Sequence, residues 1–115
     1  MARAYVPDRG DLVWLDFDPQ IGHEQAGRRP ALVLSPRRYN EKTGLAVMVP
    51  ITSHTKGYPF EVALPSGMRT TDVVLADQLK CVDWTARKAK RIATAPEVVV
   101  RDVLAKIVAL IDPLK

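Results

Sequence analysis

Apolar and polar positions along this chain fall into short runs, with turn residues between them at regular intervals. The runs Leu12–Phe17, Ala31–Leu34, Leu45–Ile51, Phe60–Leu64 and Val73–Val82 are rich in β-branched, aliphatic and aromatic residues. Turn signals separate them at Arg9-Gly10, Pro19 to Gly22, Asn40 to Gly44, Lys56-Gly57 and Pro65-Ser66-Gly67. Each run reads as a strand, and regularly spaced short strands predict a small barrel or sandwich. Phe60-Glu61-Val62-Ala63-Leu64 alternates as a half-buried strand does. Leu12 to Leu15 and Leu45 to Val49 are apolar at every position. They predict central strands, or strands covered by a helix or a partner subunit.

The period changes near the C-terminus. Val100, Val103, Leu104, Ile107 and Ile111 recur at helical spacing and form one apolar face. Thr94-Ala95-Pro96-Glu97 has the spacing of a capping box with proline in the first turn. Asp102 and Lys106 stand four apart on the polar side, and Asp112-Pro113 ends the helix. Pro36 to Asn40 predicts a short helical turn, whereas Thr85 to Ala93 has no decisive period. The expected class is mainly β with minor α.

Length and composition narrow the setting. The 115 residues suit one domain, 1–115, able to bury a core without metal or disulfide staples. A lone cysteine, Cys81, fits a reducing compartment. Met1 to Asp8 lacks the apolar stretch of a signal peptide, and no run approaches the ~20 apolar residues of a membrane helix. A cytoplasmic protein is expected. The net charge of +4 favours a polyanionic partner. Its excess is local, in Arg87, Lys88, Lys90 and Arg91 and in Arg28, Arg29, Arg37 and Arg38. Each cluster also reads as plain solvated surface.

The stretch Gly22-His23-Glu24-Gln25-Ala26-Gly27-Arg28-Arg29-Pro30 changes the picture most. It packs a histidine, a carboxylate, an amide and two guanidiniums between two apolar strands, where a rigid scaffold fixes the ends of a solvent-reaching loop. Such groups can serve as acid, base and anion stabiliser. There is no Gly-rich phosphate loop, no G-x-S-x-G elbow and no zinc-ligand spacing. Nothing supports a Ser-His-Asp triad. A metal-free reaction needing a base, an acid and an anion clamp remains open. RNA cleavage by the neighbouring 2′-hydroxyl is one, because the substrate brings its own nucleophile.

Across nearly its whole length the chain resembles the MazF/PemK family of toxin ribonucleases. The resemblance rests on Tyr5-Val6-Pro7-Asp8-x-Gly10-Asp11-Leu12-Val13-Trp14, Asp16-Phe17-Asp18-Pro19, Gly22-x-Glu24-Gln25-x-Gly27-x-Arg29-Pro30 and Leu34-Ser35-Pro36. It continues through Val49-Pro50-x-Thr52, Lys56-Gly57-Tyr58-Pro59-Phe60, Ala76-Asp77-Gln78 and Arg87. The resemblance implies an SH3-like β-barrel with a C-terminal α-helix, assembled as a homodimer. It implies a sequence-specific endoribonuclease that needs no metal or cofactor. Such an enzyme cuts single-stranded RNA to 2′,3′-cyclic phosphate and 5′-hydroxyl ends and arrests growth. A MazE-like antitoxin with an acidic tail is the implied partner, and no membrane is.

Carried over by position, Glu24 matches the general base of the MazF branch, Arg29 the arginine at the phosphate, and Thr52 an active-site hydroxyl. A guanidinium does not deprotonate in proteins, so Arg29 is better suited to clamp charge than to donate the final proton. His23 matches a histidine of the Kid branch, whose aspartate falls on Asp77 while its arginine falls on Leu75. The chain is thus a hybrid, and either Glu24 or Asp77 is placed to take the 2′-proton. Phe17, Gln25, Ser53, Lys56, Asp77 and Gln78 are the implied RNA contacts, Phe17 by stacking and Lys56 by charge. Each also has a bland reading: Glu24 and Arg29 as a loop ion pair, Phe17 as core, Thr52 as a strand end. A CcdB-like toxin acting on a protein such as DNA gyrase is the alternative on the same scaffold. It has no need of Glu24 and Arg29.

Overall fold

The computed structural model describes residues 5–17, 27–65 and 72–112. Seven antiparallel strands form one bent sheet: β1 (Asp11–Phe17), β2 (Gly27–Val33), β3 (Leu45–Thr52), β4 (Glu61–Ala63), β5 (Val73–Leu75), β6 (Lys80–Asp83) and β7 (Lys90–Thr94). Helix α1 (Arg37–Thr43) links β2 to β3, and α2 (Glu97–Ile111) follows β7. The strand order is β4-β5-β3-β2-β1-β7, with β6 also paired to β3.

The doubly apolar strands are central, as their sequences demand. Strand alternation sends Leu12, Leu32, Leu34, Val49 and Ile51 to one face, under Val99, Val100, Val103 and Ile107 of α2. Val13, Leu15, Ala31, Val33, Ala46 and Met48 point to the other face, where Tyr5, Trp84 and Ala89 pack against them. Leu12, Val13, Leu32, Val33, Ala46 and Val49 are fully buried. At ~25 cal/mol per Å² of apolar surface, both faces contribute to holding β1, β2 and β3 rigid.

Strand β3 is the hub. One of its edges pairs with β2. The other is divided: Leu45 to Met48 pair with β6, and Ile51 and Thr52 pair with β5. A 3₁₀ turn, Ala76–Gln78, carries the chain across the gap. Val73–Val82 is therefore two strands and a turn, where the sequence reads as one run. Pro50, which has no N–H for a ladder, falls in the gap.

Helix α1 is longer than the expected turn. It closes on Gly44, whose left-handed backbone (φ 73°) lets its N–H donate to the Asn40 carbonyl at 3.0 Å. The Asn40 side chain is fully buried and fully paired. Its amide donates to Pro7 O at 2.8 Å and to Ser35 O at 3.0 Å, while its Oδ1 accepts from the Ser35 hydroxyl. Trp84 Nε1 donates to the Asn40 carbonyl at 3.0 Å, tying the turn after β6 to α1.

Helix α2 departs from its expected start. Pro96 is the N-cap and no side chain caps the helix. Thr94 stays in β7, where its hydroxyl accepts from the Arg91 guanidinium. Val99 joins the buried face, while Ile111 is 66% exposed. The ion pair on the helix is Glu97 with Arg101 at 3.2 Å, in place of Asp102 with Lys106.

Candidate active site

The second core face opens to solvent where β3 loses its partner. A cleft of about 420 Å³ forms there. Buried Leu15, Ala31, Met48 and Val82 form its apolar floor, and Arg29, Thr52, Gln78 and Lys80 bring polar groups to it. Strand periodicity explains the grouping. Arg29 follows the alternation of Ala31 and Val33, Thr52 that of Met48 and Pro50, and Lys80 that of Val82. Residues that would continue the core are replaced here by a guanidinium, a hydroxyl and an ammonium.

A smaller cleft of about 210 Å³ adjoins it and shares Thr52, Leu75 and Gln78 with it. His54, Lys56, Tyr58 and Glu61 complete its lining. The Lys56 ammonium stands 5.7 Å from the centre of the Tyr58 ring, within cation–π range. The Thr52 hydroxyl accepts from His54 N–H at 3.1 Å. Its own proton can therefore be donated into the cleft. Among the described residues, the clefts together form a groove with three cationic side chains, Arg29, Lys56 and Lys80, and an exposed aromatic, Tyr58.

The segment holding His23, Glu24 and Gln25 lies outside the described residues, but both its ends are fixed. The β1–β2 ladder runs to the Phe17–Gly27 rung, immediately flanking it. One rung earlier, Asp16 and Arg28 face each other and pair at 3.0 Å. The Asp16 N–H donates to Arg87 O at 2.8 Å, which ties this end of β1 to the turn before β7. An exposed ion pair adds little stability. Its effect here is local, at the paired ends of β1 and β2.

The structure thus brings Arg29, Thr52, Lys56 and Gln78 to one groove. Ser53 and Asp77 are exposed and line neither cleft. Lys80, His54 and Tyr58 are groove residues without a role in the sequence reading. Lys80 stands two residues before buried Val82 and so shares its face. Among the described residues, no three His, Cys, Asp or Glu side chains come together to hold a metal ion. No described helix is long and apolar enough to cross a membrane.

Among the described residues, one titratable group is strongly perturbed, at the other end of β1. Burial first, then donation to Asp11 and the charge of that carboxylate, push the Tyr5 hydroxyl far above its ordinary value of 10. Asp11 also accepts from Asp8 N–H at 3.0 Å and stands 3.8 Å from the Arg91 guanidinium. This cluster fastens the N-terminal segment to β1 and β7.

A family profile described as PemK-like, MazF-like toxin of type II toxin–antitoxin system matches residues 8–111. The endoribonuclease toxin MazF of Escherichia coli K12 is 58% identical over 98 residues, 84% of this chain and 87% of that protein. The endoribonuclease PemK of Escherichia coli is 41% identical over 106 residues, 87% of this chain and 78% of that protein. A crystal structure of MazE–MazF from Deinococcus radiodurans superposes with a TM-score of 0.90 at 54% identity, covering 96% of this chain and 99% of that one. The barrel-type β fold with a C-terminal helix is shared with it.

Proposed function

The chain belongs to the PemK-like, MazF-like toxins of type II toxin–antitoxin systems, and from that premise we propose that the Arg29–Thr52 groove is where it cuts RNA. It is an endoribonuclease toxin. The observation that carries the site assignment is the meeting of Arg29, Thr52, Lys56, Gln78 and Lys80 in one groove, with Arg29 two residues past the Gly27 end of the stretch that holds Glu24.

In this reading, Glu24 takes the proton of the 2′-hydroxyl, and the freed oxygen attacks the adjacent phosphorus. Arg29 lies against the phosphate, where a planar, permanently charged fork neutralises the charge that grows on the non-bridging oxygens. Thr52 donates its hydroxyl proton to one of those oxygens. The bond from phosphorus to the 5′-oxygen then breaks, leaving a 2′,3′-cyclic phosphate and, once that oxygen is protonated, a 5′-hydroxyl. His23 is the sequence neighbour of Glu24 and is the candidate for that last proton. Lys56 and Lys80 hold flanking phosphates of a single strand. Gln25, Ser53 and Gln78 offer hydrogen bonds, and Phe17 a stacking surface, to the bases.

The active assembly is a homodimer, and a MazE-like antitoxin silences it by covering the cationic groove with an acidic segment. The exposed thiol of Cys81 suits a reducing cytoplasm.

The test is incubation of purified protein with long RNA of diverse sequence in excess EDTA, followed by analysis of the new ends. Discrete cuts bearing cyclic phosphate and 5′-hydroxyl are expected. RNA left intact by a protein that still arrests growth would overturn the reading and point to a protein target.

A further inference from the structure

An acidic side chain in a groove that binds a polyanion needs an explanation, and Glu61 is one. It stands at the start of β4, opposite Leu75, and lines the smaller cleft with Lys56 and Tyr58. Its carboxylate is engaged with the backbone. Oε2 accepts from Lys56 N–H at 2.8 Å and Oε1 from Gly57 N–H at 3.1 Å. Successive N–H groups in a turn make a small anion cradle, and Gly57 supplies the left-handed residue (φ 77°) that such a turn uses. The Glu61 N–H in turn donates to Tyr58 O at 3.1 Å. Next to it, the Phe60 carbonyl accepts from Ala76 N–H at 3.0 Å, joining the loop to the 3₁₀ turn that carries Gln78.

We propose that Glu61 is a positioning residue for RNA: it fixes the Lys56–Tyr58 loop so that the ammonium and the ring meet the strand pre-arranged. The loop residues 53–58 have no strand ladder to hold them, and two charge-assisted bonds from one carboxylate supply that constraint. A loop held in its binding geometry loses less entropy when RNA arrives. The proposal rests on the groove being the RNA site. Its sign distinguishes it from simple electrostatics. Removing a carboxylate beside phosphates relieves repulsion and tightens binding; removing this one releases Lys56 and weakens it.

The experiment measures kcat and KM on a short fluorogenic RNA carrying a cut site mapped with the wild-type protein. The variants are Glu61→Gln, Glu61→Ala and Lys56→Ala, with Lys56→Ala repeated in the Glu61→Gln background. Amide exchange at Lys56 and Gly57 is followed in parallel. In Glu61→Gln, KM is expected to rise roughly tenfold while kcat stays within about threefold. Exchange at the two amides is faster, and Lys56→Ala adds little further loss, because the two residues act as one unit. Glu61→Ala shows the same pattern. An unchanged or lower KM overturns the proposal, as does a fall in kcat alone or full additivity with Lys56→Ala. If the wild-type protein cuts normally and only these expectations fail, the groove remains the RNA site. If cleavage and RNA binding survive Lys56→Ala and Arg29→Ala unchanged, the groove assignment falls and this inference with it.

Discussion

Arg29 and Thr52 each lie two residues beyond the last β2–β3 rung, Ala31 with Pro50, and both line one cleft. The ladder that buries Leu32 and Val49 therefore also sets the spacing between a guanidinium and a hydroxyl. Both residues sit on strands anchored by two apolar faces, which is the rigidity that charge stabilisation in a transition state requires.

One of the two candidate bases falls among the described residues. Asp77 is exposed in the 3₁₀ turn and outside both clefts. Glu24 lies outside the described residues, in the stretch between β1 and β2 whose Gly27 end is two residues from Arg29 of the cleft. Cleavage rates should fall at least ~100-fold in Glu24→Ala, and change only a few-fold in Asp77→Ala, since general-base catalysis contributes about 10²–10⁴. Single-turnover rates on one mapped site make the comparison. A large loss confined to Asp77→Ala reverses the assignment.

Lys80 projects from the same sheet face as Val82 and lines the larger cleft. Neutralising it in Lys80→Ala should weaken RNA binding by a similar factor whatever the sequence. The slope of log K against log salt should become shallower by about 0.7, the value for one phosphate contact on a single strand. A salt titration of an uncleavable RNA analogue measures this. An unchanged slope would remove Lys80 from the groove's phosphate contacts.

Tyr5 gives the fold an alkaline limit. Its hydroxyl keeps its proton in the folded chain above the ordinary value of 10, at which the unfolded chain titrates. The bond to Asp11 thus contributes fully below pH ~10, and that contribution is lost as the pH rises further. Tyr5→Phe should lower stability by about 1–2 kcal/mol at pH 7 and should flatten the fall in stability between pH 9 and 11. Denaturant unfolding at several pH values reads both effects.

Asn40 is a buried polar residue with every side-chain hydrogen-bonding group engaged. Asn40→Ala should cost about 2–4 kcal/mol, because the Ser35 hydroxyl and the carbonyls of Pro7 and Ser35 lose a buried partner together. The midpoint of urea unfolding should shift accordingly. Cleavage per folded molecule should be unchanged, since the network lies away from the groove.

The sequence announces its central strands and leaves its edges obscure. Leu12 to Leu15 and Leu45 to Val49 are legible because burial on two faces demands apolar residues throughout. Strand β7 is not, because Lys90, Arg91 and Thr94 face solvent and Ile92 alone is buried in it. The break at Ala76 to Gln78 arises from the divided edge of β3, a tertiary fact without a local Gly or Pro to mark it. Thr94 fits a capping box by spacing, but it is held in β7, and tertiary pairing prevails over the local motif. At the site, Arg29, Thr52, Lys56 and Gln78 were readable through motif resemblance. Lys80 escaped because it lay inside what reads as one long strand, and only the break in that strand shows which face opens to the groove.

Whether the Arg29–Thr52 groove cuts RNA is read from the single-turnover cleavage rate of Arg29→Ala on a mapped RNA. A circular-dichroism spectrum and melting curve matching wild type establish that the variant is folded. A fall of about 10²–10³-fold, the scale set by removing one preorganised charge stabiliser, is the predicted result. A folded Arg29→Ala that cuts within about threefold of wild type, too little for the loss of a transition-state contact, would place the chemistry outside this groove.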